Sequence, residues 1–156
     1  MEITTRPATL GDLDILLDLE QAIISDLRPF DLTLRSEKIY YYNIGQLIES
    51  PETEMLIAES GNEIIGCGYA RIDESKPYLK HSRNAYFGFM YVKPAYRGQG
   101  VNKTVMAVLQ KWAVSKGITE LRLEAYYANL PAITAYEKLG FVKHMSEMRM
   151  ELPTSN

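Results

Sequence analysis

Residues 97–103 are the part of this sequence best suited to bind an anion. They read Arg97-Gly98-Gln99-Gly100-Val101-Asn102-Lys103 and stand between an aromatic run and an amphipathic helical pattern. The two glycines allow the backbone to turn with its N–H groups on one side, and the arginine can add a cation. A helix start contributes further unpaired N–H donors and a partial positive charge. Together these groups suit a pyrophosphate.

Two familiar phosphate motifs are excluded at this segment. A dinucleotide fingerprint would need glycine or alanine where Lys103 stands. A P-loop needs G-x-x-x-x-G-K, which is absent. The alternative is a turn whose glycines serve backbone geometry alone. The long strand pattern before the turn and the long helical pattern after it favour the anion site.

The hydrophobic periodicity predicts the elements that hold this turn. We expect a strand at Ile3–Thr5, a helix to about residue 27, a helix over 35–49, a hairpin around Ser60-Gly61-Asn62, a strand over 85–92, a helix over 101–116, a strand at Leu121–Ala125, a helix over 129–139, and a final hairpin of Phe141–Lys143 and Met148–Leu152. This order predicts one α/β domain with a mixed sheet over residues 1–156.

Composition narrows the class of protein. The 156 residues are 46% hydrophobic and 24% charged, with a formal charge of −3, which is ordinary for a globular domain. We expect no nucleic-acid partner and no membrane partner, since no basic excess or long apolar run is present. One cysteine and two distant histidines argue against a metal site. The lone cysteine and the lack of a signal-peptide pattern predict a cytoplasmic location.

The turn and a second block resemble the GNAT superfamily of acyl-CoA-dependent N-acyltransferases. The family signature, Arg/Gln-x-x-Gly-x-Gly/Ala, is matched by Arg97 to Asn102. The second block consists of Asn129, Ala132 and the run from Ala135 to Phe141. Asn102 departs from the usual glycine or alanine, and its side chain either crowds a pyrophosphate or points away and extends the helix.

This resemblance implies a fold, a cosubstrate and a set of contacts. The fold would be a mixed, mostly antiparallel sheet of about seven strands with four helices, in which strands four and five splay apart. Acetyl-CoA would bind with its pyrophosphate at the turn and its pantetheine arm along strand four, and no metal would be needed. The implied cofactor contacts are Met90, Tyr91, Val92, Arg97, Gly98, Gln99, Gly100, Val101, Asn102, Lys103, Asn129, Ala132 and Tyr136.

Two residues are candidate catalysts. The resemblance implies that Tyr136 protonates the departing thiolate, although periodicity alone favours a core tyrosine packed with Ile133 and Leu139. Glu124 follows a strand pattern toward the substrate cleft and is the candidate general base. Asp73 and Glu74, a solvated role for each of these carboxylates, and deprotonation through water remain alternatives.

The expected function is acetyl transfer from acetyl-CoA to a primary amine by direct attack on the thioester. The acceptor is a small-molecule or peptide amine, and a homodimer is left open. Tyr40–Tyr42 and the basic cluster Lys76, Lys80, His81 and Arg83 are candidates for acceptor recognition, the cluster suiting an anionic acceptor. A CoA-binding sensor without transfer, and an adapter that binds a peptide without CoA, are the competing classes.

Overall fold

The computed structural model describes residues 1–155, and their contacts form two units, Met1–Glu124 and a second that begins at Ala125. The first unit contains β1 (Thr4–Pro7), α1 (Leu13–Leu27), α2 (Ile44–Glu49), β2 (Thr53–Ser60), β3 (Glu63–Glu74), β4 (Arg83–Val92), α3 (Val101–Ser115) and β5 (Leu121–Arg122). The second unit contains α4 (Leu130–Lys138). The single domain predicted over residues 1–156 stays a prediction.

One mixed sheet organises the first unit. Its strands run in the order β1-β2-β3-β4-β5, with antiparallel pairing from β1 to β4 and parallel pairing between β4 and β5. The predicted α/β class with a mixed sheet and four helices is therefore confirmed. The prediction of about seven strands is wrong, because the described residues form five.

The predicted final hairpin accounts for the missing strands. Phe141–Lys143 and Met148–Leu152 have no strand structure, and the side chains of Met148 and Met150 are 91% and 82% exposed. A short strand needs a hydrogen-bonded neighbour and a buried apolar face. This segment has neither among the described residues. Alternation of apolar and polar residues was therefore not enough to make it a strand.

The helix predicted over 35–49 is also shorter, because α2 begins at Ile44. One carboxylate oxygen of Glu20 accepts the backbone N–H groups of Tyr41 and Tyr42 at 2.9 and 2.7 Å. The Asn43 side chain then caps α2 by accepting the N–H of Gln46 at 3.3 Å. Since α1 binds these backbone donors, residues 41–43 cannot continue a helix.

Apolar side chains cover both faces of the sheet. On one face α1 and α2 bury a cluster that includes Leu16, Ile44 and Phe89. On the other face α3 packs against β3 at two glycines, where an added Cβ would lie 3.3 Å from Val101 at Gly66 and 3.1 Å from Val105 at Gly68. The close approach of α3 fixes where its N-terminus meets the end of β4.

Acidification is expected to destabilise the first unit through Asp12. Its carboxylate accepts two hydrogen bonds from the Arg6 guanidinium, each 2.9 Å long, which lower its pKa from 3.8 to about 2. The folded pKa lies below the unfolded one, so the stabilisation is present above the unfolded value and is lost as pH falls through the folded one.

The variant Asp12→Asn should lower the free energy of unfolding at pH 7 by about 1–2 kcal/mol. The loss is no larger because Arg6 is partly exposed, so that water screens its attraction for Asp12. Urea unfolding from pH 6 to pH 2 measures this, and the wild type should lose more stability over that interval than the variant. If the stability of both proteins falls equally as the pH is lowered, carboxylates other than Asp12 cause the loss.

Candidate active site

A bulge interrupts β4 in the middle of the sheet. Cys67 pairs with Tyr91 and Tyr69 pairs with Gly88, so one residue of β3 faces two of β4. Phe89, in the bulge, has a φ of 53°, which residues other than glycine rarely adopt. Bulges of this kind bend a strand and redirect its side chains, and they recur beside active sites.

Beyond the bulge, β4 has an open edge. Its pairing with β5 covers Ala85 and Tyr86, opposite Leu121 and Arg122. From residue 87 to Val92 no strand pairs with this edge in the part of the chain that the structure describes. The predicted contacts Met90, Tyr91 and Val92 lie here, so an extended ligand could hydrogen-bond to their backbone as a strand would.

The turn after β4 presents backbone N–H groups. Gly98 and Gly100 have φ values of 76° and 86°, and Gly100 directly precedes α3. An added Cβ at either glycine would meet no atom within 4 Å, so the space before the turn is open. The N–H groups of residues 101–103, which include Val101 and Lys103, lie in the first turn of α3 and lack intrahelical acceptors. The residues present thus fit a pyrophosphate.

The side chain of Arg97 contacts three neighbouring groups of the protein. It donates to the carbonyl oxygen of Val92 at 2.8 Å and to the carboxylate of Asp26 at 2.9 Å, and it lies over the ring of Tyr91. These contacts tie the turn to α1 and to the end of β4. The cation that the sequence offers to a phosphate is therefore engaged in positioning the turn.

The side chain of Asn102 points away from the N–H groups of the turn and does not crowd the place for a pyrophosphate. Its side-chain amide lies 3.6 Å from the sulfur of Met106, one helical turn further along α3. The side chain therefore follows the helix rather than the N–H groups at its start. Gln99 likewise points back to the carbonyl oxygen of Ala95, at 3.3 Å.

An aromatic wall covers the bulge from the α1 side. Tyr42 stacks on Phe89 with ring centroids 4.6 Å apart and meets Tyr69 edge-on at 5.9 Å. A Cβ at Gly88 would overlap the Tyr69 ring, so this glycine makes room for it. Burial raises the pKa of the Tyr42 and Tyr69 phenols above the ordinary tyrosine value, which keeps both neutral.

Sequence reasoning missed Glu20, which holds this wall in place. Its side chain is fully buried, and its second carboxylate oxygen has no hydrogen-bond partner among the described residues. A signal was available, because Glu20 lies four residues from both Leu16 and Ile24 on the apolar stripe of α1. A carboxylate in such a stripe needs partners, and here they are the backbone donors of Tyr41 and Tyr42.

Charged groups lie beside the tyrosines on the β3–β4 face. Arg71 pairs with Asp73 through two hydrogen bonds, at 2.8 and 3.0 Å, and faces the rings of Tyr69 and Tyr86. Burial first, and then the charge of Glu124, raises the pKa of Tyr86. The predicted base Glu124 is thus close enough to the tyrosines to act on them electrostatically, whereas Asp73 is engaged with Arg71.

The basic cluster predicted for acceptor recognition has internal partners. His81 lies 2.7 Å from Glu120, and Arg83 lies 4.0 Å from Glu52. Lys76 and Lys80 are exposed in the loop between β3 and β4. The anionic acceptor that this cluster suggested therefore receives little support from its geometry.

Three predicted site residues belong to the second unit, on α4 or at its start. Asn129 occupies the N-cap position, yet its side chain makes no capping hydrogen bond, which leaves the amide available. Ala132 lies in the first turn of α4, and Tyr136 lies near its end with its ring 6.1 Å from that of Phe141. Burial raises the pKa of the Tyr136 phenol. The phenol therefore stays protonated near neutral pH.

A metal site, a membrane span and a nucleophilic thiol each set requirements for the described residues. No group of three or more His, Cys, Asp and Glu side chains there could hold a metal ion. No helix in residues 1–155 is both long and apolar enough to cross a membrane. Cys67 is buried, its thiol pKa is raised by burial, and its sulfur lies 3.5 Å from the Phe89 carbonyl oxygen. A protonated, buried thiol is a poor nucleophile.

Comparison with known proteins identifies the family of the chain. The pattern of the acetyltransferase (GNAT) family matches residues 19–141. A thialysine N-epsilon-acetyltransferase from Bos taurus is 40% identical over 58 residues, which cover 37% of this chain and 34% of that enzyme. The chain thus spans about a third of the length of the thialysine acetyltransferases it matches. N-alpha-acetyltransferase 30 from Saccharomyces cerevisiae is 26% identical over 92% of this chain and 78% of its own length.

Solved structures share the fold. A predicted acetyltransferase from Clostridium acetobutylicum, crystallised with acetyl-CoA, matches with a TM-score of 0.72 at 20% identity, over 96% of each chain. An aminoglycoside antibiotic 6'-N-acetyltransferase from Acinetobacter haemolyticus matches with a TM-score of 0.72 at 22% identity, over 99% of this chain and all of the other. The chain belongs to the acetyltransferase (GNAT) family.

Proposed function

We propose that this protein transfers an acetyl group from acetyl-CoA to a primary amine by direct attack of the amine on the thioester. The observation that carries the proposal is the open edge of β4, which leads past a bulge into a turn of unpaired N–H groups before α3. An extended chain that leads into a pyrophosphate, as the pantetheine arm of acetyl-CoA does, matches such a track. The family match supplies the acyl chemistry.

The cosubstrate would lie along β4 and end at the turn. The amides of the pantetheine arm would hydrogen-bond to the backbone of Met90, Tyr91 and Val92. The backbone N–H groups from Gly98 to Lys103 would bind the pyrophosphate. Arg97 and Gln99 shape the turn, and Val101 buries its side chain beneath it. Asn129 and Ala132 remain cofactor contacts by resemblance.

The transfer step needs one proton removed and one supplied. The amine nitrogen attacks the carbonyl carbon, a C–N bond forms and the C–S bond breaks. Glu124, directly or through water, takes the proton that the amine loses, and the Tyr136 hydroxyl gives its proton to the departing sulfur. A neutral phenol suits that role, and the raised pKa of Tyr136 keeps it neutral. No enzyme nucleophile is required.

The acceptor is a small-molecule or peptide amine. Among the relatives, named acceptors include thialysine, ornithine and aminoglycosides, which are all amines. We further propose a cytoplasmic location, since the single thiol is free and buried, as expected where disulfides do not form.

The proposal is tested by incubating the protein with acetyl-CoA and a panel of amines that includes a diamine, lysine, an amino sugar and a peptide N-terminus. Release of free thiol should equal the acetylated amine measured by mass spectrometry, for at least one acceptor class. Binding of acetyl-CoA without product from any amine would instead indicate a CoA-binding module. Absence of both binding and product would leave a peptide-binding adapter.

A further inference from the structure

Strand pairing places four side chains of the first unit on one face of the sheet: Tyr69, Arg71, Tyr86 and Arg122. Arg71 of β3 is directly opposite Tyr86 of β4, and Tyr69 lies two residues before Arg71 on the same side. Arg122 of β5 pairs with Tyr86, and Glu124 lies two residues further. Burial raises the pKa of both tyrosines, and the negative charge of Glu124 adds to the shift.

The charges on this face do not cancel. Asp73 neutralises Arg71 at 2.8 Å, and Glu120 lies 3.1 Å from Arg122 and 2.7 Å from His81. Glu124 makes no ion pair and no hydrogen bond with another described residue. One exposed carboxylate is therefore left beside neutral phenols, so the local charge favours a cation.

The aromatic rings already receive a cation in this structure. The Arg71 guanidinium lies 5.2 Å from the Tyr86 ring centroid and 5.9 Å from that of Tyr69, within the range of cation–π contacts. Tyr41, half exposed, packs against Tyr42 with ring centroids 5.1 Å apart and extends the aromatic surface. The buried carboxylate of Glu20 accepts the backbone N–H of Tyr41, so the fold fixes the position of Tyr41 in this surface.

We propose that this face binds a second, non-reacting ammonium group of the acceptor, with Glu124 as its counterion and Tyr41 and Tyr86 beside it. Glu124 then receives the proton of the reacting amine through water rather than directly. This inference rests on the proposed acetyl transfer and names the acceptor class. Asp73 neutralises the charge of Arg71 through hydrogen bonds from Nε and Nη2, which weakens the attraction of Arg71 for a second carboxylate. Acceptors that carry a carboxylate in place of the second ammonium meet the unpaired charge of Glu124 and are disfavoured.

Two acceptors of equal length but different charge test the proposal. We expect kcat/KM for 1,5-diaminopentane to exceed that for 5-aminopentanoate by about tenfold or more, because one carries a second ammonium and the other a carboxylate. Calorimetry in the presence of CoA should show binding of the diamine and none of the aminocarboxylate at equal concentrations.

Variants separate charge recognition from proton transfer. Glu124→Gln should lower kcat on both acceptors, because it removes the proposed base. It should in addition raise KM for the diamine about tenfold and reduce the preference over the aminocarboxylate toward one. Tyr86→Phe, which keeps the ring, should retain the preference, whereas Tyr86→Leu should weaken diamine binding. Glu49→Gln makes the same change of charge at an exposed position on α2 and should leave the preference intact.

Three results would overturn the inference while leaving acetyl transfer in place. They are a wild-type preference for the aminocarboxylate, equal kcat/KM for the two acceptors, and a Glu124→Gln variant that loses kcat equally on both while keeping the preference. The last outcome would make Glu124 a base without a role in selecting charge. Absence of any acetylated amine, by contrast, would overturn the proposed function itself.

Discussion

Replacing Tyr136 by phenylalanine is expected to lower kcat by about 100-fold, the lower end of the range for general acids, because a thiolate needs less help in leaving than an alkoxide. The change removes the hydroxyl alone and keeps the ring that packs near Phe141. The hydroxyl makes no hydrogen bond to another described residue, so the melting temperature should change little. The loss should fall on kcat rather than on KM.

The pH profile gives this prediction a second readout. Burial raises the pKa of Tyr136, so wild-type kcat should fall only when the pH rises above the ordinary tyrosine value of about 10. The phenolate formed there has no proton to donate, and the phenylalanine variant should lack this alkaline limb. Tyr127→Phe, at a tyrosine that is 87% exposed in the same unit, is the matched control. If Tyr136→Phe turns over at the wild-type rate when the chemical step is rate-limiting, Tyr136 is not the general acid and only packs in the fold.

Replacing Gly100 by tryptophan is expected to remove most acetyl-CoA binding, by 100-fold or more in Kd. The space before Gly100 is open, and an indole there would occupy the place of the pyrophosphate. The positive φ of 86° adds strain of about 1 kcal/mol, which the fold should tolerate. Calorimetry with acetyl-CoA measures the loss, and circular dichroism checks the fold.

Gly61→Trp is the matched control for this strain. Gly61 has a φ of 62° and equally open surroundings, but it lies in the turn between β2 and β3. It should lose similar stability and keep the wild-type Kd. Asn102→Gly should also keep the Kd, because the Asn102 side chain points along α3 toward Met106. Tight binding by a folded Gly100→Trp variant would place the pyrophosphate elsewhere.

Local sequence signals predicted the parts of the fold that local physics decides. Gly100 and Val101 marked the start of α3, and Asn129 marked the start of α4, because caps, glycines and apolar stripes act over a few residues. The Ser60-Gly61-Asn62 turn likewise predicted the β2–β3 hairpin. These signals fixed the turn that carries the proposed pyrophosphate site.

Features set by distant contacts were not predicted. The shorter α2 depends on Glu20 binding backbone groups about twenty residues away, and the bulge at Phe89 depends on pairing between β3 and β4. Met148 and Met150 alternate as strand residues do, yet they lie outside any strand. The partner of Arg97, Asp26, lies 71 residues earlier in the chain. The spacing of residues along the sequence does not predict contacts between residues so far apart in the chain.

The central claim is that acetyl-CoA lies along β4 and against the turn before α3. Hydrogen exchange with mass spectrometry, with and without saturating acetyl-CoA, tests this claim directly. The account predicts slower exchange in peptides that cover residues 87–92 and 98–103, and little change in the hairpin around Gly61. Saturation without protection in either of those two segments would contradict the account, since the cosubstrate would then bind at another place on the molecule.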